Sequence, residues 1–155
     1  MRIRLVSAGT RLPGWVNEGH AEFAKRLSGY RFELIEIPTS RRAGSTDIAR
    51  AVATEGRRMI EAIGTRDYVV ALDVTGRAMA TAELARWFAA RLADGRDLAF
   101  AIGGPDGLAP ELLKRADFRW SLSPLTWPHG LARIMVVEQL YRADSLLKGH
   151  PYHRG

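Results

Sequence analysis

The sequence contains no cysteine and no long apolar run, and each absence excludes a class of protein. Because none of its 155 residues is cysteine, the chain has no disulfide, no thiolate metal site and no cysteine nucleophile. No apolar stretch approaches the roughly 18 residues of a membrane span. The start, MRIRLVSAGT, has too short an apolar stretch for a signal peptide. We therefore expect a soluble, cytoplasmic protein with no membrane association.

Metal ligands and phosphate-binding motifs are also missing. The four histidines, at positions 20, 129, 150 and 153, do not have the spacing of a metal site, and no carboxylate cluster accompanies the last two. We predict no metal. The glycine-rich segment GGPDG is neither GxGxxG nor a P-loop, so it does not indicate a phosphate cradle.

Positive charge is in excess. Lys and Arg number 23 against 17 Asp and Glu, which makes the formal net charge +6. This balance favours a polyanionic partner, with RNA or DNA first and an acidic membrane surface second. The basic segment TSRRAGST (39–46) is interpreted as a solvated connector in preference to an RNA-contacting loop.

The hydrophobic pattern predicts strands that alternate with helices, which is typical of an α/β fold. The sheet should be mostly parallel, with helices on both faces, in a single domain over residues 1–155. Predicted strands cover 2–8, 32–37, 68–73, 98–104 and 118–123, and predicted helices cover 15–27, 47–63, 82–93, 110–116 and 131–148.

Sequence signals also predict how the helices begin and which faces they bury. Ser45 or Thr46 should cap the second helix and Thr81 the third, and Pro110 should begin the fourth. The apolar stripes of the first two helices are expected to include Trp15, Gly19, Phe23 and Leu27, and then Ile48, Val52, Met59 and Ile63.

The last helix is apolar around most of its circumference, and such a helix needs cover on more than one side. A tightly packed monomer core would supply that cover, but we favour a homodimer through this helix, with the same patch on both partners. Glu138 and Arg142, four residues apart on it, are read first as a solvated ion pair.

Ligands of open α/β sheets bind beyond the carboxyl ends of the strands, and three segments should lie there. These segments are Leu72-Asp73, IGGPDGL (102–108) and LSPLTWPHG (122–130). On its own, GGPDG is better explained by a plain β-turn before a helix. The proline-rich LSPLTWPHG fits a rigid connection as well as a backbone that binds the edges of a purine.

Several motifs together resemble one family. LDVTG, FAIGGPDGL, WSLSPLTWPHGLARIMVVEQLYRA and the end GHPYHR, with VSAGT and ELIEIP near the start, resemble the RlmH (YbeA) family of the SPOUT superfamily. Its members are large-subunit (23S) ribosomal RNA pseudouridine N3-methyltransferases, which act in ribosome maturation. The resemblance implies a C-terminal trefoil knot, S-adenosylmethionine as methyl donor, an obligate homodimer and ribosomal RNA, within the assembled ribosome, as substrate.

The resemblance also implies a site. The cofactor-binding residues would be Leu72, Gly103, Leu122, Ser123, Pro124, Leu125, Thr126 and Trp127. The chain departs from the family pattern at Trp127, where we expect an aliphatic residue, at Gly130, where we expect a larger side chain, and at Gly155, where no acidic side chain follows Arg154.

The tail, defined as residues 148–155, would supply much of the catalytic chemistry. The N3 of a uracil ring must lose a proton before it is a good nucleophile, and the imidazole of His153 is the expected acceptor. Arg142 or Arg154 would stabilise the anionic ring or hold phosphate, and Tyr152 would stack on the base.

Two rival functions remain open. A non-catalytic RNA-binding module would explain the charge but not a rigid cofactor loop. A receiver-like domain with Asp73 as phosphoacceptor would need carboxylates at the end of the first strand to hold Mg²⁺. That strand ends in SAGT, so the second rival is disfavoured.

Overall fold

The computed structural model describes residues 1–42 and 44–154, in which β-strands and α-helices alternate along the chain. The strands are β1 (Arg2–Ala8), β2 (Arg31–Ile37), β3 (Tyr68–Ala78), β4 (Leu98–Ile102) and β5 (Phe118–Ser121). The helices are α1 (Gly14–Ala24), α2 (Ser45–Ala62), α3 (Thr81–Asp94), α4 (Pro110–Arg115) and α5 (His129–Leu147), followed by a 3₁₀ helix, Pro151–Arg154.

The five strands form one sheet in the order β2-β1-β4-β3-β5, and every neighbouring pair is parallel. The predicted α/β fold with a parallel sheet is therefore confirmed. All five residues of β4 are buried, as expected for a central strand that is covered on both faces.

Helices cover both faces because strand side chains alternate in direction. On one face, Leu5 and Phe100 pack with Phe88 of α3 and Leu140 of α5. On the other face, core residues of β1, β2, β3 and β4 pack with α2 and α4. This second cluster is made of Val6, Ala8, Ile37, Met59, Ile63, Val69, Ala99, Ala101 and Leu112.

Two predicted helix caps are wrong. The second helix begins at Ser45 and Gly44 precedes it, so neither Ser45 nor Thr46 stands at the capping position. The third begins at Thr81, and its first turn is closed by Glu83, whose carboxylate accepts a hydrogen bond from the Ala80 N–H at 3.0 Å. The predicted start of α4 at Pro110 is confirmed.

At the start of α1, the buried face lies one residue later in the sequence than predicted. Trp15 is 56% exposed, while Val16 and His20, four residues apart, are buried. In α2, Ile48 is likewise exposed, and Ala51, Glu55 and Met59 form the buried side. Here Gly56 allows α2 to approach α4, because a Cβ at Gly56 would collide with the Cβ of Ala109.

The last helix is covered within its own chain on more sides than the sequence suggested. It lies over β1 and β4 and is flanked by α1 and α3. Val136, Leu140 and Ala143 are fully buried, while Ile134, Met135 and other apolar residues of the outer side are half-buried. A dimer through this helix stays a prediction.

Candidate functional site

A cavity of about 710 Å³ opens at the carboxyl ends of β3, β4 and β5. Its volume lies in the range of small-molecule sites in proteins. The three segments that the sequence placed beyond the strand ends all contribute to its wall, together with Trp120 of β5, Leu113 of α4 and Ala132 of α5. A cavity therefore lies at the strand ends where the topology predicted ligand binding, and the binding itself stays a prediction.

The LDVTG segment forms the first wall as a bulge at the end of β3. Trp120 of β5 is the register partner of both Leu72 and Arg77, so the residues between them project out of the sheet. Asp73 closes the bulge by accepting hydrogen bonds from the N–H and hydroxyl of Thr75, both at 3.0 Å. A Cβ on Gly76 would lie 2.7 Å from the carbonyl of Arg119, so the close approach of β3 to β5 at this point requires glycine.

The GGPDG segment forms the second wall and is also a β-turn. The Gly107 N–H donates to the Gly104 carbonyl at 3.1 Å, and Gly107 has a φ of 81°. A Cβ on Gly103 would lie 2.5 Å from the carbonyl carbon of Gly107. The turn itself therefore requires glycine at position 103, because a side chain there would collide with the backbone of the turn.

The segment after β5 forms the third wall, and two serines stiffen it. The Ser121 hydroxyl donates to the Ser123 carbonyl at 3.0 Å, and the Ser123 hydroxyl accepts from the Leu125 N–H at 3.0 Å. Of the eight residues assigned to the cofactor, seven line the cavity. Pro124 lies between them in sequence but is not part of the lining.

Trp127 contributes a large half-buried ring to the cavity. Its indole packs against the core cluster of the α3–α5 face. Its Nε1 is buried and has no hydrogen-bond partner among the described residues. An unpartnered buried donor at a cavity wall is costly unless a bound group accepts from it.

The first turn of α5 completes the cavity with His129 and Ala132. Burial, followed by the charge of Arg133, lowers the pKa of His129 below its usual value. The neighbouring Gly130 packs against α1, and a Cβ there would lie 3.1 Å from Val16. The departure from the family pattern at this position thus coincides with a close approach of α1.

Arg133 is fully buried, and sequence reasoning did not identify it. Its guanidinium donates to the Ser7 hydroxyl at 3.1 and 3.3 Å, to the Gly9 carbonyl at 3.1 Å and to the Glu36 carboxylate at 2.9 Å. These bonds join the first turns of α5 to the ends of β1 and β2. The only signal in the sequence was one charge inside the apolar stretch LARIMVV.

The tail folds back onto α5. The Tyr152 hydroxyl donates to Glu138 at 2.9 Å, and Arg142 donates to the same carboxylate oxygen at 2.7 and 3.1 Å. The Tyr152 ring lies 4.6 Å from the ring of Tyr141. The Glu138–Arg142 pair, expected to be solvated, is half-buried and shared with the tail.

Burial and the hydrogen bond to Glu138 both raise the pKa of Tyr152 above its ordinary value. In the same segment, Nδ1 of His153 is buried without a hydrogen-bond partner among the described residues, and Arg154 is exposed. The family pattern is expected to have an acidic side chain after Arg154, where this chain has Gly155. Gly155 lies outside the described residues.

The four residues assigned to catalysis do not reach the cavity of their own chain. None of Arg142, Tyr152, His153 and Arg154 belongs to its lining. Arg142 follows the cavity residue Ala132 by ten positions on α5, which corresponds to about 15 Å along the helix axis. The structure groups the four residues around the second half of α5 and leaves them separate from the cavity.

Residues 1–42 and 44–154 hold no cluster of three His, Asp or Glu side chains placed to ligate a metal ion. Within the same residues, no helix has the length and apolar character needed to cross a bilayer.

Fold and site together define a parallel α/β protein with a cavity at the carboxyl ends of its strands. Residues 1–153 match the family model described as "Predicted SPOUT methyltransferase". The chain therefore belongs to the SPOUT methyltransferase family.

Full-length relatives agree with this assignment. The chain is 59% identical over 155 residues to the "Ribosomal RNA large subunit methyltransferase H" of Alkalilimnicola ehrlichii, with 99% of each chain covered. It is 50% identical over 159 residues to the protein of the same name from Pseudomonas fluorescens, with 99% of this chain and 100% of the relative covered. A crystal structure of a methylase-family protein from Neisseria gonorrhoeae shares the fold, with a TM-score of 0.54 and 14% identity over 90% of this chain and 81% of that one.

Proposed function

We propose that this chain is an S-adenosylmethionine-dependent methyltransferase that methylates N3 of a pseudouridine in large-subunit ribosomal RNA. The observation that carries the proposal is the full-length similarity to proteins named ribosomal RNA large subunit methyltransferase H. The fold of the SPOUT methyltransferase family and a cavity at the expected strand ends support it.

The cavity has the properties that S-adenosylmethionine requires. Its volume of about 710 Å³ suits a ligand of that size. The backbone of Gly103, Leu122 and Thr126 would bind the nucleoside part, and the half-buried ring of Trp127 would pack against it. The cofactor, when bound, supplies a methyl group on a sulfonium, which carries no phosphate and needs no P-loop.

The separation of cavity and tail supports a site that two copies of the chain share. The cavity lies at the first turns of α5 and the tail packs on its second half. In a two-fold dimer with antiparallel α5 helices, the tail end of one helix would lie beside the cavity end of the other. We therefore propose a homodimer through α5 in which each tail serves the partner's cavity.

In this arrangement the tail would handle the base. The ring of Tyr152 would stack on the base, and the imidazole of His153 would accept the N3 proton. Arg142 and Arg154 would stabilise the negative charge that develops on the ring, or hold a neighbouring phosphate. The net charge of +6 suits binding to ribosomal RNA within the assembled ribosome.

Two further features come with the proposal. The trefoil knot of the family would form where the chain passes from β5 into α5, and the protein would act in the cytoplasm, where ribosomes assemble. The non-catalytic RNA-binding module is not favoured. Such a module would not require a cavity at the strand ends, and the family to which the chain belongs is one of methyltransferases.

The test is methyl transfer to defined substrates. Purified protein is incubated with labelled S-adenosylmethionine and ribosomes from cells that lack the gene, and the ribosomal RNA is digested and analysed by mass spectrometry. We expect one N3-methylated pseudouridine in the large subunit. Calorimetric binding of S-adenosylmethionine with no methylated nucleotide on intact ribosomes would contradict the substrate, and an absence of binding would contradict the enzyme.

A further inference from the structure

Arg42, in the loop between β2 and α2, joins two carboxylates from distant parts of the chain. Its Nη2 lies 2.8 and 2.9 Å from the oxygens of Glu55 on α2. Its Nε lies 2.5 Å from Oδ2 of Asp106, which belongs to the turn that forms part of the cavity wall. The side chains of Arg42 and Glu55 are 17% and 5% exposed, so this is a largely buried ion pair.

Two of the three charged groups, Arg42 and Glu55, lie directly behind the turn, and the third, Asp106, is part of it. A Cβ on Gly104 would be 3.3 Å from Oε1 of Glu55 and 3.7 Å from Nη2 of Arg42. Nη1 of Arg42 also donates to the Ser40 carbonyl at 2.9 Å, which holds the loop itself. The basic loop predicted as a solvated connector is therefore attached to the cavity wall through Arg42.

We propose that Arg42 is a positioning residue that fixes the Gly104–Gly107 turn and thereby the shape of the cavity wall. The turn needs such an anchor because three of its neighbouring positions, 103, 104 and 107, are glycines, which restrict the backbone least. Arginine suits this role because its planar guanidinium binds two carboxylates at once, whereas a lysine ammonium lacks that geometry.

That this wall binds S-adenosylmethionine rests on the proposed function. The test therefore also needs a measurement that does not depend on this ligand. In the ligand-free protein, the Gly107 amide is hydrogen-bonded to Gly104. If Arg42 holds the turn, R42K and D106N should raise the hydrogen-exchange rate of this amide about tenfold, with little change in the amides of β4. Both variants keep a polar side chain of similar size, and R42K keeps a charge beside Glu55.

The ligand measurement uses S-adenosylmethionine and calorimetry on the wild type, R42K, D106N and the double variant. We expect each single variant to weaken binding about tenfold and the double variant to be no weaker than either, since both break the same link. In steady state, KM for S-adenosylmethionine should rise by the same factor, while kcat changes less than twofold. D94N is the matched control, because Asp94 pairs with Arg96 at 2.8 Å at the far end of α3.

The outcomes separate the possible errors. If the wild type does not bind S-adenosylmethionine, the proposed function fails, and the Gly107 exchange rate alone decides the role of Arg42. If the wild type binds and the variants bind equally well with unchanged exchange, the positioning role is wrong. If the losses in R42K and D106N add in the double variant, Asp106 contacts the ligand directly and the link to Arg42 is not what matters.

Discussion

At the scale of single residues, glycines allow the backbone segments that form the cavity walls to pack closely together. Gly103 and Gly76 lie where a Cβ would be under 3.0 Å from backbone atoms of the Gly107–Leu108 and Arg119–Trp120 segments. Neither contact involves a flexible side chain that could move aside. Loss of ligand binding in a variant such as Gly103→Val would therefore report a displaced turn and would not by itself place the ligand.

Gly103→Ala should accordingly destabilise the fold. We expect a loss of about 1 to 3 kcal/mol in the free energy of unfolding, because the added methyl overpacks a rigid site. Gly14→Ala is the control, since a Cβ there has no atom within 4 Å, and its effect should stay within about 0.5 kcal/mol. Urea unfolding measures both, and equal effects would refute the close approach.

Arg133→Met should be among the most damaging single substitutions. It keeps the apolar stem but leaves the buried Ser7 hydroxyl and Gly9 carbonyl without their donor. We expect a loss of about 2 to 4 kcal/mol in the free energy of unfolding. Arg142→Met, at the partly exposed pair with Glu138, should cost clearly less, and the reverse order in urea unfolding would show that the Arg133 network is dispensable.

His20 should make stability depend on pH. Burial, followed by the charge of Arg133, lowers its pKa below the unfolded value of about 6.5, although Glu36 opposes the shift. Folding therefore disfavours its protonation, so stability should be constant above about pH 7 and fall as the pH drops through 6.5. His129, whose pKa is lowered for the same two reasons, adds in the same direction.

The matched variants are His20→Asn and, as a control, His150→Asn in the exposed part of the tail. Unfolding free energies at pH 7.5 and 5.5 should differ less in His20→Asn than in the wild type, and His150→Asn should retain the wild-type difference. A wild-type difference that persists in His20→Asn would assign the pH dependence to other groups.

At the scale of elements, the tail follows α5 and packs back onto its second half. Truncation after Gly149 removes the Tyr152 contacts but leaves the Glu138–Arg142 pair and the whole sheet in place. The melting temperature and S-adenosylmethionine affinity should stay near their wild-type values, whereas methyl transfer should fall by orders of magnitude. Full activity of the truncated protein would show that the tail is only a covering for α5.

Element bounds show what local pattern can predict. β1 was predicted to the residue, because its first half alternates between arginine and aliphatic residues and Gly9 follows its last residue. β3 runs to Ala78, five residues past the predicted end, because the pattern cannot show that β5 offers a second partner beyond the bulge. Trp15 was placed inward because its spacing fits a helical stripe, but the packing of Val16 on Gly130 selects the neighbouring face.

At the scale of the whole molecule, the separation of cavity and tail leads to a complementation experiment. One chain lacks the tail after Gly149, and the other carries Ala132→Phe, which fills the cavity at the first turns of α5. Each homodimer should be inactive. If each tail serves the partner's cavity, coexpressed and doubly affinity-purified heterodimers should regain methyl transfer at up to one of their two sites.

A tail that acts on its own chain predicts no activity in the heterodimer, since neither chain then holds an intact tail and an open cavity together. Light scattering of the wild type checks the assembly itself, and a stable monomer at micromolar concentration would contradict the shared site. A wild-type dimer that carries the same two affinity tags controls for the purification.

The sequence by itself determined the alternation of strands and helices, the parallel sheet, and the three segments at its carboxyl ends. These follow from residue periodicity and from topology rules that act over short stretches of chain. Its motifs also carried the family resemblance.

Only the tertiary structure decided which charged and polar groups meet. Arg133 reaches Ser7 across 126 positions, and Arg42 reaches Asp106 across 64. The tail, just 14 positions from Glu138, packs on its own helix and away from its own cavity. No local pattern specifies such partners, because each depends on how the packing of distant elements positions two side chains in space.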